Sequence, residues 1–432
     1  MPDRTVNGEA PARHLFDAEN LRAWSAACAN DVELSQLAAS ATVGFDIVVA
    51  DDDLRAPFRF EGGTLVAPEG PAAFSLAADL ADWNRFFHLP PPPAYQNFFG
   101  MLMRVPSASV VGSELAMAQS AHLFRRVLEI GRAVANGVTT AELSDPVEPG
   151  SAVSKKSSLR GGYVTAQIEG EPVDVYYEER GQGRDVLLLH TAGADGRQYH
   201  DLMSNDALTA DHRLVAFDLP GHGRSDPFPN RVIGGYSLTT ELYASTVLAV
   251  VDALGLSSPI VSGSSMGGEI CLELAYRASD ILGGVIACEA SEKVNGRKVA
   301  WAKHPLVNES LFVPEWVYGL MAPQSPEQYR RKVWWGYSQG GFSTFAGDID
   351  FYSGDWDGTE RVPLIDTAAC PVVMMTGEYD YSCTPAMSEA TAARIPGATF
   401  WPMPQLGHFP MAENPELFAR HFERALKEIE HR

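Results

Sequence analysis

Residues 163–432 predict an α/β fold, an eight-stranded and mostly parallel sheet with helices on both faces, preceded by a smaller α+β domain at residues 1–136. Three observations carry this. After residue 162, β-rich segments alternate with amphipathic helical stretches, the signature of a sheet covered on both sides. Residues 137–162 are rich in Ser, Gly, Pro and charge without apolar periodicity, and read as a linker between domains. Finally, the strand candidate Pro259–Val261 runs through Gly263-Ser264-Ser265-Met266-Gly267 straight into a helical pattern.

The strand candidates of the second domain are Val164–Ile168, Val173–Glu178, Val186–Leu189, Leu214–Phe217, Pro259–Val261, Gly284–Cys288, Val372–Met375 and Thr399–Pro402. Each is a short apolar or alternating run of the kind a buried strand requires. Helical periodicity appears at Leu238–Leu254, Met266–Arg277, Pro385–Ile395 and Pro415–Glu430. Residues 292–365 break the rhythm, being far longer than a crossover and dense in aromatics: Trp301, Phe312, Trp316, Tyr318, Trp334, Trp335, Tyr337, Phe342, Phe345 and Trp356. An insertion of that size in a compact domain is usually functional. Most of these rings are expected to form a small core of the insertion's own. In the first domain, Phe45–Val49 and Phe58–Val66 read as strands and Leu115–Val134 as helix. Between them, Pro90–Pro93 enforce an extended segment flanked by Phe86, Phe87, Tyr95, Phe98 and Phe99.

Composition narrows the partners. The chain of 432 residues has a formal net charge of −22, so phosphate backbones and anionic lipid are repelled and neither a nucleic acid nor a membrane is expected as partner. No apolar run approaches the ~18 residues of a membrane span, and the polar N-terminus lacks the apolar centre of a secretory signal, so a cytoplasmic location is expected. The five cysteines, Cys28, Cys271, Cys288, Cys370 and Cys383, are widely spaced with no CxxC pair and read as reduced, buried thiols. There is no HExxH motif, and the 11 histidines are scattered, so no metal is implied; without GxGxxG or GxxxxGK[ST], neither is a phosphate-bearing cofactor.

The strand–GxSxG–helix arrangement is what a nucleophile elbow requires, with Ser265 forced into a strained turn and Gly268 where the helix passes close to the sheet. A serine hydroxyl needs a base, and the base an orienting carboxylate, in the chain order Ser, acid, His. Asp380 follows the strand Val372–Met375 and His408 the strand Thr399–Pro402, both in loops at strand carboxyl ends. Glu378 and Glu289 are the alternative acids. An oxyanion is met by preorganised N–H donors, here those of Met266 and, from the loop His190-Thr191-Ala192-Gly193, of Ala192. His190 itself reads as structural.

Together these residues resemble the α/β-hydrolase family over roughly residues 163–432. The resemblance includes Asp218-Leu219-Pro220-Gly221-His222-Gly223-Arg224-Ser225, similar to that family's loop after its fourth strand. His190-Thr191 departs from the family's common His-Gly. The resemblance implies that residues 292–365 are a cap over an apolar, partly aromatic substrate pocket. Serine at the elbow, where the family's epoxide hydrolases and haloalkane dehalogenases carry aspartate, argues against those two reactions. The expectation is a serine hydrolase cleaving an ester or lactone of a small molecule through an acyl-enzyme. The alternatives are carbon–carbon bond cleavage of a vinylogous diketone, for which a cap cation among Arg330, Arg331 and Lys332 would hold a substrate carboxylate, and a catalytically silent ligand-binding protein. The first domain is similar in outline to sterol-carrier-like domains; the alternatives are a module that supports the cap and an oligomerisation module, the latter making the chain a homo-oligomer.

Overall fold

The computed structural model describes residues 14–143 and 158–432. The chain divides into two compact units, Met1–Pro146 with Pro305–Gly319, and Val147–His304 with Leu320–Arg432. Most of the predicted linker, residues 144–157, lies outside the described residues; on its near side Gly137, at φ 63°, ends a helix, and on its far side Arg160 already opens a strand.

The first unit is built on a five-stranded sheet of β1 (Val43–Val49), β2 (Arg55–Glu61), β3 (Thr64–Val66), β4 (Phe74–Ala78) and β5 (Ser109–Gly112), in the order β3-β2-β1-β4-β5. The predicted strand Phe58–Val66 is thus two strands, because Gly62 and Gly63 take φ of 54° and 87° and reverse the chain between them. Likewise the predicted helix Leu115–Val134 is two helices, Glu114–Gln119 and Ala121–Asn136, broken at Ser120. Trp24, Phe45, Phe58, Phe74, Phe87 and Phe98 are fully buried at its centre. The helix Glu309–Tyr318, which lies within the predicted insertion, packs into this core: Trp316 meets Phe99 with ring centroids 4.7 Å apart, and Glu315 accepts from Arg125 Nε at 2.5 Å.

The second unit carries the predicted sheet: β6 (Arg160–Ile168), β7 (Glu171–Gly181), β8 (Arg184–Leu189), β9 (His212–Phe217), β10 (Ile260–Ser264), β11 (Gly284–Cys288), β12 (Val372–Gly377) and β13 (Thr399–Met403). Their order is β13-β12-β11-β10-β8-β9-β7-β6, parallel from β13 to β9 and antiparallel beyond. Because β8 lies between β9 and β10, the chain leaves β8 in opposite directions on its two sides, and the crevice at their carboxyl ends is where such sheets bind ligands. The predicted helices appear at Thr240–Ala253, Met266–Arg277, Pro385–Arg394 and Pro415–Glu430.

The insertion does not form one core of its own. Phe312, Trp316 and Tyr318 belong to the first unit, whereas Tyr337 and Phe345 pack beside the loop after β8, and Trp356 donates its indole N–H to Ser291 O at 2.9 Å. Trp335 and Phe342 are exposed. The rings follow whichever apolar surface their helix faces, and this stretch faces two. No helix among the described residues is long and apolar enough to cross a membrane.

Candidate active site

The elbow has the strain that its sequence demands. Ser265 holds φ 60° and ψ −123° between β10 and the helix Met266–Arg277, a conformation that L-residues adopt only where the surroundings enforce it. Its N–H donates to Cys288 O at 3.0 Å. The glycines around it are steric requirements: a Cβ on Gly267 would lie 2.7 Å from Leu189 O, and one on Gly268 only 2.2 Å from Cys288 O. Only glycine lets the helix approach both neighbouring strands this closely.

Asp380 and His408 meet across the loops after β12 and β13, with His408 Nδ1 donating to Asp380 Oδ2 at 2.6 Å. The other carboxylate oxygen accepts the N–H groups of Ser382 and Cys383, at 2.7 and 3.1 Å, so the carboxylate is fixed in place. With Nδ1–H spent on Asp380, Nε2 carries the ring's lone pair. The His408 backbone is held at both ends: its N–H donates to Leu320 O, and its carbonyl accepts from Ser264 Oγ, each at 3.0 Å. Ser264 precedes the elbow serine, so that bond ties the histidine loop to the elbow. Ser265, Asp380 and His408 are 2%, 2% and 4% exposed, in a site closed to bulk water.

The alternative acids occupy different places. Glu378 is exposed and accepts the Gln405 N–H at 3.0 Å. Glu289 is fully buried at φ 52°, takes the Gly377 N–H on both oxygens at 3.0 and 3.1 Å, and lies with Asp380 and His408 in a group whose ligand atoms are within 4.8 Å of one another. Burial, then the charge of Asp380, raises the Glu289 carboxyl well above the usual range.

The loop after β8 has its N–H groups accounted for one by one. Thr191 N donates to Gln198 Oε1 at 3.1 Å, Gly193 N to Asp348 Oδ2 at 2.7 Å and Ala194 N to Thr191 O at 3.1 Å. Among the described residues, the N–H groups of Ala192 and Met266 have no acceptor. His190 is committed on both sides, Nδ1 to Thr191 O at 2.9 Å and Nε2 accepting the Leu219 N–H at 3.1 Å, which fixes a neutral tautomer. Burial lowers its pKa, as does the neighbouring His222 ring. Asp218 of the similar-looking loop braces the same region, accepting Gly196 N–H at 2.8 Å and Arg224 N–H at 2.9 Å.

Of the cap cations, Arg330 and Arg331 both pair with Glu327, and Lys332 with Asp201. Gln198, Tyr337, Asp348 and Glu413 carry no sequence signal for a site, since each acts on a segment distant in the chain or through a bond to backbone. Glu413 accepts the N–H groups of Ala322 and Gly407 at 2.7 Å each, the second beside His408.

An eight-stranded, mostly parallel sheet carrying a strained serine at a strand-to-helix turn is the architecture of an α/β hydrolase. The profile of the Alpha/beta hydrolase family matches residues 186–421, more than half of the chain, and the chain belongs to that family. It is 30% identical over 132 residues to the 2-hydroxy-6-oxononadienedioate/2-hydroxy-6-oxononatrienedioate hydrolase of Burkholderia vietnamiensis, a match covering 30% of this chain and 44% of that protein. The curated relatives matched at 32% and 35% identity are covered over only about a third of their own length. Among solved structures, the thermophilic esterase of Thermogutta terrifontis superposes with TM-score 0.54 at 22% identity, covering 62% of this chain and 99% of that one. The enol-lactonase of Burkholderia xenovorans does so with TM-score 0.53 at 20% identity, covering 62% and 100%.

Proposed function

We propose that the protein is a serine hydrolase that cleaves an ester or lactone bond of an apolar small molecule through an acyl-enzyme. Ser265 attacks the carbonyl carbon while His408 Nε2 takes its proton and then delivers it to the leaving oxygen. Asp380 holds the ring in the Nδ1–H tautomer and stabilises the imidazolium formed in passing. The N–H groups of Ala192 and Met266 receive the oxyanion. Water then attacks the acyl-enzyme by the same proton path in reverse. The ligand is a small molecule, no cofactor takes part, and the protein works in the cytosol. The observation that carries the reading is the backbone of Ser265: φ 60° and ψ −123° at a serine in the turn between a parallel strand and a helix is the strained conformation of a nucleophile elbow.

Carbon–carbon cleavage of a vinylogous diketone is the second reading. Besides the similarity to the oxononadienedioate hydrolase, Arg297 favours it: this guanidinium is 2% exposed and its charge acts on the phenols of Tyr337 and Tyr381. A cation buried at the start of the insertion beside two phenols is a feature that recognition of a substrate carboxylate would use.

The test is labelling by a fluorophosphonate, followed by turnover of aryl esters, lactones and diketones. Wild type should be labelled at Ser265, Ser265→Ala should be inert and folded, and Asp380→Asn should lose about 10⁴-fold in kcat while Glu378→Gln stays within about twofold. Turnover by Ser265→Ala would refute the proposal, and a reversed acid pair would move the orienting role to Glu378.

A further inference from the structure

The loop after β8, tied at Thr191 to Gln198, is also held from outside at Gly193. The insertion helix Thr344–Asp350 meets it with two side chains at i and i+3, which lie on one helical face. Phe345 covers Gly193 so closely that a Cβ there would sit 2.8 Å from Phe345 Cδ2. Gly193 holds φ 68°, the left-handed region that favours glycine. Three residues on, fully buried Asp348 takes the Gly193 N–H on Oδ2 at 2.7 Å.

That carboxylate is itself immobilised. His222 Nε2 donates to the same Oδ2 at 2.8 Å, and the Tyr236 hydroxyl donates to Oδ1 at 2.7 Å. Burial alone would keep His222 neutral, but the adjacent Asp348 charge raises its pKa overall, so the two form a buried, hydrogen-bonded ion pair. Such a pair is costly to bury and contributes geometry above all. Three donors converging on one carboxylate leave it a single orientation.

We propose that Asp348 is a positioning residue for the oxyanion hole: by taking the Gly193 N–H it turns the neighbouring Ala192 N–H toward the place where the oxyanion forms. The inference rests on the serine-hydrolase reading. The carboxylate touches no reacting atom. Its effect is on where the donor one residue before its anchor points, and hole donors act only within a few tenths of an ångström of their correct positions.

The test uses the full chain, with p-nitrophenyl acetate as substrate and an arylboronic acid as the tetrahedral mimic. Asp348→Ala should lower kcat about 10- to 100-fold with KM within about twofold, and should weaken boronate binding in proportion to kcat. Asp348→Asn keeps an acceptor for Gly193 and should recover most of that loss. A merely structural role would instead lower Tm and raise KM, and would leave the ratio of boronate to substrate affinity unchanged. Should Asp348→Ala fail to fold, Tyr236→Phe removes one of the three restraints and should cost about fivefold in kcat, the value of one hydrogen bond. Unchanged kcat in Tyr236→Phe, or loss confined to KM in Asp348→Ala, overturns the proposal. Fluorophosphonate labelling separates the two levels: no labelling of wild type at Ser265 defeats the serine-hydrolase reading, whereas Asp348→Ala labelled at the wild-type rate defeats the role of Asp348 alone.

Discussion

Arg125 is where the first unit is most open to a quantitative test. Its guanidinium is buried and reaches three carboxylates: Glu315 Oε2 at 2.5 Å, Glu129 Oε2 at 2.7 Å and Glu33 Oε1 at 3.0 Å. Glu33 has 34% of its side chain in water, but Glu315 has none. Replacing Arg125 with Met leaves Glu129 and Glu33 paired with Arg126, at 3.3 and 3.6 Å, but takes from the fully buried Glu315 the cation it holds at 2.5 Å, which costs about 3–5 kcal/mol. Replacing Glu315 with Gln is gentler: Arg125 keeps Glu129 and Glu33, and the amide oxygen still accepts, so about 1–2 kcal/mol is expected. The double variant should be more stable than Arg125→Met, because a neutral amide at position 315 is cheaper to bury than a carboxylate that has lost its guanidinium. Urea titration followed by tryptophan fluorescence reads this directly, since Trp24 and Trp83 lie fully buried in the same unit. If Arg125→Met proves no worse than Glu315→Gln, or if the double variant is the least stable, Glu315 does not depend on Arg125 as the geometry requires.

Two further outcomes are expected. Burial raises the Glu413 carboxyl from about 4.5 to about 7. The folded state therefore favours the protonated form: the stabilising contribution is complete below pH 4.5 and is lost as the pH rises through 7, a change of about 3 kcal/mol. Glu413→Gln should remove that slope in urea titrations at pH 5 and pH 8, and parallel wild-type and variant profiles would exclude it. Separately, a chain begun at Leu159 lacks the partners of Phe312, Glu315 and Trp316, so light scattering should find it aggregated. A soluble, monodisperse product with unchanged kcat/KM on a small aryl ester would show that residues 305–319 do not need the first unit.

What could be read in advance follows from burial. Strands covered on both faces are short apolar runs, and Gly284–Cys288 and Met266–Arg277 are observed with the boundaries their sequences predict. Ser265, Asp380 and His408 were legible because each stands just past such a strand. The first unit was harder. Phe58–Val66 keeps its alternation through the turn at Gly62-Gly63, and Ser109–Gly112 is an edge strand whose side chains are mostly exposed, so it carries no apolar pattern. Asp348 lay beyond sequence reasoning altogether, since it contacts Gly193, 155 positions away, and looks like any surface acid in a one-dimensional reading.

The insertion matters for a reason that follows from its division between units. Its segment Pro305–Gly319 completes the first unit, and the very next residue, Leu320, accepts the His408 N–H at 3.0 Å. Two residues on, the Ala322 N–H donates to Glu413 at 2.7 Å, and Glu413 also holds Gly407 at 2.7 Å. Gly407 fits there only because it has no side chain, as a Cβ would sit 2.2 Å from Leu320 O. The strand of chain leaving the helix Glu309–Tyr318 is therefore a wall of the loop that presents His408. Helices are stiff and four residues allow little slack. The first unit's fifteen residues from the insertion are thus followed directly in the chain by the residues that brace the loop of the candidate base.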